Sequence, residues 1–170
     1  MTSSLYMPIH EITPLTMAVL PQYDESGKIG SLVLEEKAEF VVKGSPSKMI
    51  DNACKFFGAS LKGRQIGTKE ISQLTHKLPI SIDPSSGMYF FPTLSPVNTK
   101  CSWIAHTHIS KISEAENQCT EITFKNGKRI IIDVSYGSIM NQVNRTAQFR
   151  YILDNRIKGL NSSSNQNLFE

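Results

Sequence analysis

The chain has 170 residues, with 18 Lys and Arg against 15 Asp and Glu, a formal net charge of +3. Hydrophobic residues make up 39% and charged residues 19%, too apolar for a disordered chain and too polar for a membrane protein. A folded chain of this length buries about two-thirds of its unfolded surface, so one domain forms without disulfide or metal staples.

Residues 1–14 read as a loosely held arm, because Pro8 and Pro14 limit regular structure. The first basic residue is Lys28, so no secretory start is expected, and no apolar run approaches the roughly 18 residues of a membrane span. Leu15 to Leu20 is strand-like, Asp24-Glu25-Ser26-Gly27 is a turn, and Ile29 to Val42 supplies further strand. Together they predict an N-terminal antiparallel meander. Ser45 then caps a helix over 46–57: Pro46 suits its first position, Met49, Ile50, Ala53, Cys54 and Phe57 recur at helical spacing, and Gly58 stops it. Cys54 is thereby a core thiol. With Cys101 and Cys119 it makes an odd set without a close pair, which reads as three reduced thiols in a cytoplasmic protein.

Gly58 to Gly67 reads as a flexible basic loop, and Glu70 to Thr75 as a short strand or turn. His76-Lys77-Leu78-Pro79 leads into Ile80 and Ile82, Asp83-Pro84-Ser85-Ser86-Gly87 is a turn, and Met88 to Phe91 is a buried strand. Trp103 to Ile112 alternates as one strand, with Trp103, Ala105, Thr107 and Ile109 on one side and Ile104, His106, His108 and Ser110 on the other. Asn126-Gly127, between Glu121-Ile122-Thr123-Phe124 and Arg129-Ile130-Ile131-Ile132, marks a hairpin. Ser135 or Ser138 caps a closing helix to about Lys158, with an apolar stripe of Ile139, Met140, Val143, Ala147, Tyr151 and Ile152. Gly159 ends it, leaving 159–170 as a disordered polar tail. The fold class expected over 1–158 is a single α+β domain: antiparallel strands (N-terminal meander and C-terminal hairpin) with a short central helix and a C-terminal helix.

Enzyme and metal chemistry have no support. His106 and His108 share a strand face near Cys101, but a structural zinc site needs four ligands, and neither a CxxC nor a second close pair is present. No local signature supports a Cys–His nucleophile, and Gly63 to Gly67 lacks the spacing and the Gly-Lys-Ser/Thr ending of a phosphate loop. The chain is read as a non-enzyme without cofactors.

Charge points elsewhere. Residues 1–42 hold two bases and six acids, whereas residues 43–77 hold seven bases against Asp51 and Glu70. Such a block attracts a polyanion. Gly63-Arg64-Gln65-Ile66-Gly67 is slim and basic, suited to a narrow minor groove where A-tract geometry concentrates negative potential. The candidate DNA contacts are Lys62, Arg64, Lys69, His76, Lys77 and Arg145, with Lys125, Lys128, Arg129 and Arg150 as further basic side chains. The competing reading is a protein-interaction regulator that keeps the fold but has no DNA affinity, with which the acidic N-terminal segment is compatible.

Many words of this sequence resemble the ComK family of competence transcription factors of Gram-positive bacteria. They include Asp51-Asn52-Ala53-Cys54-Lys55-Phe56-Phe57-Gly58-Ala59-Ser60, Gly67-Thr68-Lys69-Glu70, His76-Lys77-Leu78-Pro79-Ile80, Cys101-Ser102-Trp103-Ile104-Ala105-His106-Thr107-His108 and Asn141-Gln142-Val143-Asn144-Arg145-Thr146-Ala147. The resemblance implies an activator of DNA-uptake and recombination genes that binds paired A-run and T-run promoter boxes through the minor groove and bends the DNA. It implies action as dimers paired across two boxes, a homodimer or tetramer on DNA, work with RNA polymerase, and capture by an adaptor of the Clp protease system. It also implies a longer charged and aromatic C-terminal extension, of which Leu168 and Phe169 are the candidate adaptor-binding remnant. Trp103 to Leu153 is similar in element order to LytTR-type DNA-binding domains, an analogy of fold alone.

Overall fold

The computed structural model describes residues 12–167. Residues 1–11 of the expected arm, and Leu168 and Phe169, lie outside the described residues. The meander forms as expected: β1 (Thr16–Tyr23), β2 (Ile29–Glu35) and β3 (Glu39–Lys43) are successive antiparallel neighbours. Asp24 builds the first turn by accepting from the backbone N–H of Ser26 and Lys28 and from the Ser26 hydroxyl, and Gly27 takes φ +81°. Helix α1 (Pro46–Phe56) starts where its cap places it, with Ser45 Oγ accepting from Lys48 N at 3.3 Å. It closes with the N–H groups of Gly58 and Ala59 on the Lys55 and Cys54 carbonyls, Gly58 being left-handed.

Most of the flexible loop expected over 58–67, and the first half of the strand or turn expected over 70–75, are instead one helix, α2 (Leu61–Ser72). Glycines at 63 and 67 each cost a helix interior about 1 kcal/mol relative to alanine, so local propensity does not make this helix. Capping and tertiary bonds do. Ser60 Oγ accepts from Gly63 N, Asp51 Oδ1 accepts from Leu61 N at 2.9 Å, and the buried Thr68 hydroxyl donates to the Pro79 carbonyl at 2.7 Å. A Cβ added at Gly67 would meet nothing within 4 Å, and its φ is not positive. Gly67→Ala is therefore expected to raise stability by about 0.5–1 kcal/mol, read as a thermal midpoint higher by about 1–4 °C; a lower midpoint would show that the glycine is needed there.

Strands β4 (Ile80–Asp83), β5 (Met88–Pro92) and β6 (Trp103–Ala105) join the meander in one antiparallel six-stranded sheet, ordered β3-β2-β1-β6-β5-β4. The single strand expected over 103–112 is interrupted. His106–His108 is a 3-10 turn, and β7 (Ile109–Glu114) beyond it belongs to a second sheet with β8 (Thr120–Phe124) and β9 (Arg129–Ile132). At this crossing, side-chain bonds replace the ladder: Thr107 Oγ1 donates to the Gly87 carbonyl at 2.6 Å and His108 Nε2 lies 2.7 Å from the Pro14 carbonyl. The β8–β9 turn forms at Lys125-Asn126-Gly127-Lys128, with Gly127 alone left-handed, a type I turn with a bulge.

Three layers result. Alternate residues of the large sheet serve two cores: Val19, Val33, Phe90 and Trp103 face α1, while Leu34, Phe91 and Ile104 face β8, β9 and the start of α3. Trp103 is fully buried and its indole N–H donates to Ser47 Oγ of α1 at 3.0 Å. Cys54 lies in the same core, where burial pushes its thiol pKa up to about 11, so it is an inert packing residue.

Helix α3 (Tyr136–Asn167) begins at Ser135, whose hydroxyl accepts from Ser138 N. The stop expected at Gly159 does not occur; the helix runs on to Asn167, and residues 159–163 are exposed. Its buried face also differs from the expected stripe. Ile139, Gln142, Thr146 and Phe149 point inward, whereas Ala147 and Tyr151 are exposed. Hydropathy alone misphased this helix because two polar residues are internal, each bonded to a backbone carbonyl.

Candidate nucleic-acid interface

Angular position around α2 decides which bases are offered outward. Its inner flank carries Arg64 and Thr68, one turn apart, against β4. Its outer face carries Lys62, Ile66 and Lys69 at helical spacing, all exposed. Lys62 and Lys69 are seven residues apart, about 10 Å along the axis.

Arg64, expected at the groove, is folded back: Nη2 donates to the Ile82 carbonyl at 3.3 Å, and Nε is buried without a hydrogen-bonding partner. Its charge lies over β4, on the flank opposite the two lysines, so it is a bracing residue. The expectation of a slim segment in a narrow groove is likewise revised. An α-helix is about 10–12 Å across, whereas an undistorted minor groove is about 6 Å wide.

The segment after α2 is shaped by two non-glycine residues in the left-handed region, Gln73 at φ 63° and Lys77 at φ 46°. Such backbone persists only when its surroundings hold it. Here α3 does so. Gln142, 1% exposed, donates Nε2 to the carbonyls of Lys77 at 2.9 Å and Pro92 at 2.8 Å. Arg145 donates to Gln142 Oε1 and to the His76 carbonyl. Arg145 thus joins the site as a brace, with both terminal nitrogens engaged, and it presents the exposed His76 and the half-buried Lys77 beside the end of α2.

The other basic candidates are largely neutralised. Lys128 pairs with Glu39 at 2.7 Å, Arg129 lies 4.0 Å from Glu121, and Asn126 Nδ2 donates to the Glu36 carbonyl, so the hairpin tip docks on the acidic β2–β3 turn. Arg150 stacks over Tyr89, 5.1 Å from its ring centroid, and lies 3.8 Å from Asp154. Lys125 of the hairpin is exposed and makes no ion pair among the described residues, whereas Lys62 and Lys69 share one exposed face of α2 beside the segment that carries His76 and Lys77. His106 and His108 do not share a face as a strand would require: His106 Nδ1 is buried without a partner, and His108 Nδ1 is 3.5 Å from Glu36. Cys101 is buried with its thiol on the Leu94 carbonyl. Among the described residues no group of three or more His, Cys, Asp or Glu is placed to hold a metal ion, and no helix is long and apolar enough to cross a membrane.

Sequence reasoning missed Gln142, Thr68 and Asp51. The signal for Gln142 was its register: it lies three residues from the apolar Ile139 and four before Thr146, on the inner line of α3.

A family model described as ComK protein matches residues 8–158. A protein named competence transcription factor, from Bacillus subtilis (strain 168), is 42% identical over 148 residues, which cover 87% of this chain and 77% of that protein. No solved structure matches the chain.

Proposed function

The chain belongs to the ComK family, and on that premise we propose that it is a transcriptional regulator of competence that binds A/T-rich promoter DNA largely through the minor groove. Residues 1–158 act as one DNA-binding domain. Lys62, Lys69, His76 and Lys77 contact phosphates, while Arg64 and Arg145 hold the backbone that carries them. The observation that carries this reading is the exposed Lys62/Lys69 stripe next to a loop that Gln142 and Arg145 lock in place. Backbone contacts of this kind set register, and sequence selection then comes from groove width and deformability.

The targets we propose are paired A-run and T-run boxes before DNA-uptake and recombination genes. The protein sits on them as a homodimer or tetramer and activates through RNA polymerase, and an adaptor of the Clp protease system limits its level. It acts in the cytoplasm.

The test is a fluorescence-anisotropy titration of a duplex with paired A- and T-runs, and of a G/C-rich duplex of equal length, across a salt series. Three lysine–phosphate contacts predict that log affinity falls against log salt with a slope of about −2.7 for each protomer bound, with the A/T duplex bound more tightly. A slope near zero, or equal affinity for both duplexes, overturns the reading in favour of a regulator that works through protein contacts.

A further inference from the structure

We propose that Ile66 is a wedge that enters a base step and opens the minor groove to admit α2, an inference that rests on the DNA-binding reading above. Ile66 is 61% exposed and is the one bulky apolar side chain on the outer face of α2. Lys62 stands one turn before it and Lys69 just under one turn after it, both on the same side of that face. On its other side are Gly63 and Gly67, which carry no side chains, and Glu70, the one acid of the helix. The isoleucine therefore projects from a face that is otherwise low, with a cationic rail along one edge. The +5 balance of residues 43–77 identifies the occupant that such a rail fits as a polyanion.

The major groove, about 12 Å wide, would take a helix unaided, but for the minor-groove binding proposed above size makes the wedge necessary. A helix cannot reach the floor of a groove about half its own width. An apolar side chain driven between base pairs partly unstacks them, kinks the duplex toward the major groove and so opens the minor one. Lys62 and Lys69 then meet phosphates on the opened walls, and the bare backbone at Gly63 and Gly67 lets the duplex close on the helix. Pyrimidine–purine steps are the easiest to open, so the wedge enters a flexible step beside a stiff A-run. One side chain thus couples binding to bending.

The test uses the full chain with a duplex carrying 2-aminopurine at successive steps and a donor–acceptor dye pair at its ends. Wild type is expected to raise 2-aminopurine fluorescence at one step several-fold and to bring the ends closer. Ile66→Ala is expected to lose both signals and to bind about five- to fifty-fold more weakly, while keeping the wild-type salt slope, since its phosphate contacts survive. Ile66→Leu is expected to restore both signals. An unbent, fully stacked wild-type complex that still binds overturns the wedge and leaves the DNA-binding reading standing, and so does an Ile66→Ala complex bent like wild type. If wild type binds no duplex, both proposals fall. Ile66 touches no buried cluster, so matching thermal midpoints for the three proteins are expected.

Discussion

Replacing Gln142 with methionine is expected to cost about 2–4 kcal/mol of stability and to release the segment that carries His76 and Lys77. Methionine nearly matches glutamine in volume, so the change is electrostatic and not steric. The native Nε2 serves two carbonyls, those of Lys77 and Pro92, and Oε1 accepts from Arg145. Without the amide, two carbonyls in a closed environment lose their donor, and each unsatisfied group costs about 1–3 kcal/mol. Lys77 also loses what holds it in the left-handed region. Denaturant unfolding should show a lower midpoint at unchanged slope. Hydrogen exchange should quicken over residues 73–79 beyond the global change. A loss below about 0.5 kcal/mol would mean that water replaces the amide, and the bracing role would fail.

The second large effect is on DNA. The pair Lys62→Ala and Lys69→Ala together should flatten the slope of log affinity against log salt by about 1.8 for each protomer bound, because each phosphate contact contributes about 0.9. Taking 1 M salt as the point where this contribution vanishes, the loss at 0.1 M is about 60-fold per protomer. Both side chains are exposed, so the unfolding midpoint should stay within about 0.5 kcal/mol of wild type. Lys37→Ala, in the exposed β2–β3 turn among Glu35, Glu36 and Glu39, is the control and should leave affinity unchanged. Equal losses from the control and the pair would reduce the stripe to net charge alone.

What could be read from the sequence was whatever is decided within a few residues. Ser45-Pro46 begins α1, Asn126-Gly127 closes the β8–β9 hairpin and Asp24 turns the chain between β1 and β2, each through contacts no more than four residues apart. Helix α2 was hidden because its stabilising partners, Asp51 and Pro79, lie ten and eleven residues from the groups they bond. Its glycines argue locally for a loop. Trp103 to Ile112 keeps a strand's alternation across a point where the chain changes sheets, and alternation carries no information about which sheet a residue joins. For the site, Lys62 and Lys69 can be read from the sequence as bases, but only helical geometry puts them on one exposed line. The inward turn of Arg64 and the contact of Arg145 with residue 76, sixty-nine positions away, leave no periodic trace.

The pairing of β1 with β6 has a mechanical consequence. The large sheet is two three-stranded halves, contiguous in sequence at 16–43 and 80–105, and they meet only at Ala18↔Ile104 and Val19↔Trp103. Two rungs of backbone bonding are a weak zip. Cohesion across the join falls instead to the cores on its two faces: α1 lies over β1, β2, β4 and β6 and latches Trp103 through Ser47, and behind the sheet β8, β9 and α3 pack against Leu34 of one half and Phe91 and Ile104 of the other. The two halves are thus clamped from front and back, and the seam between them is held by side chains more than by the backbone ladder.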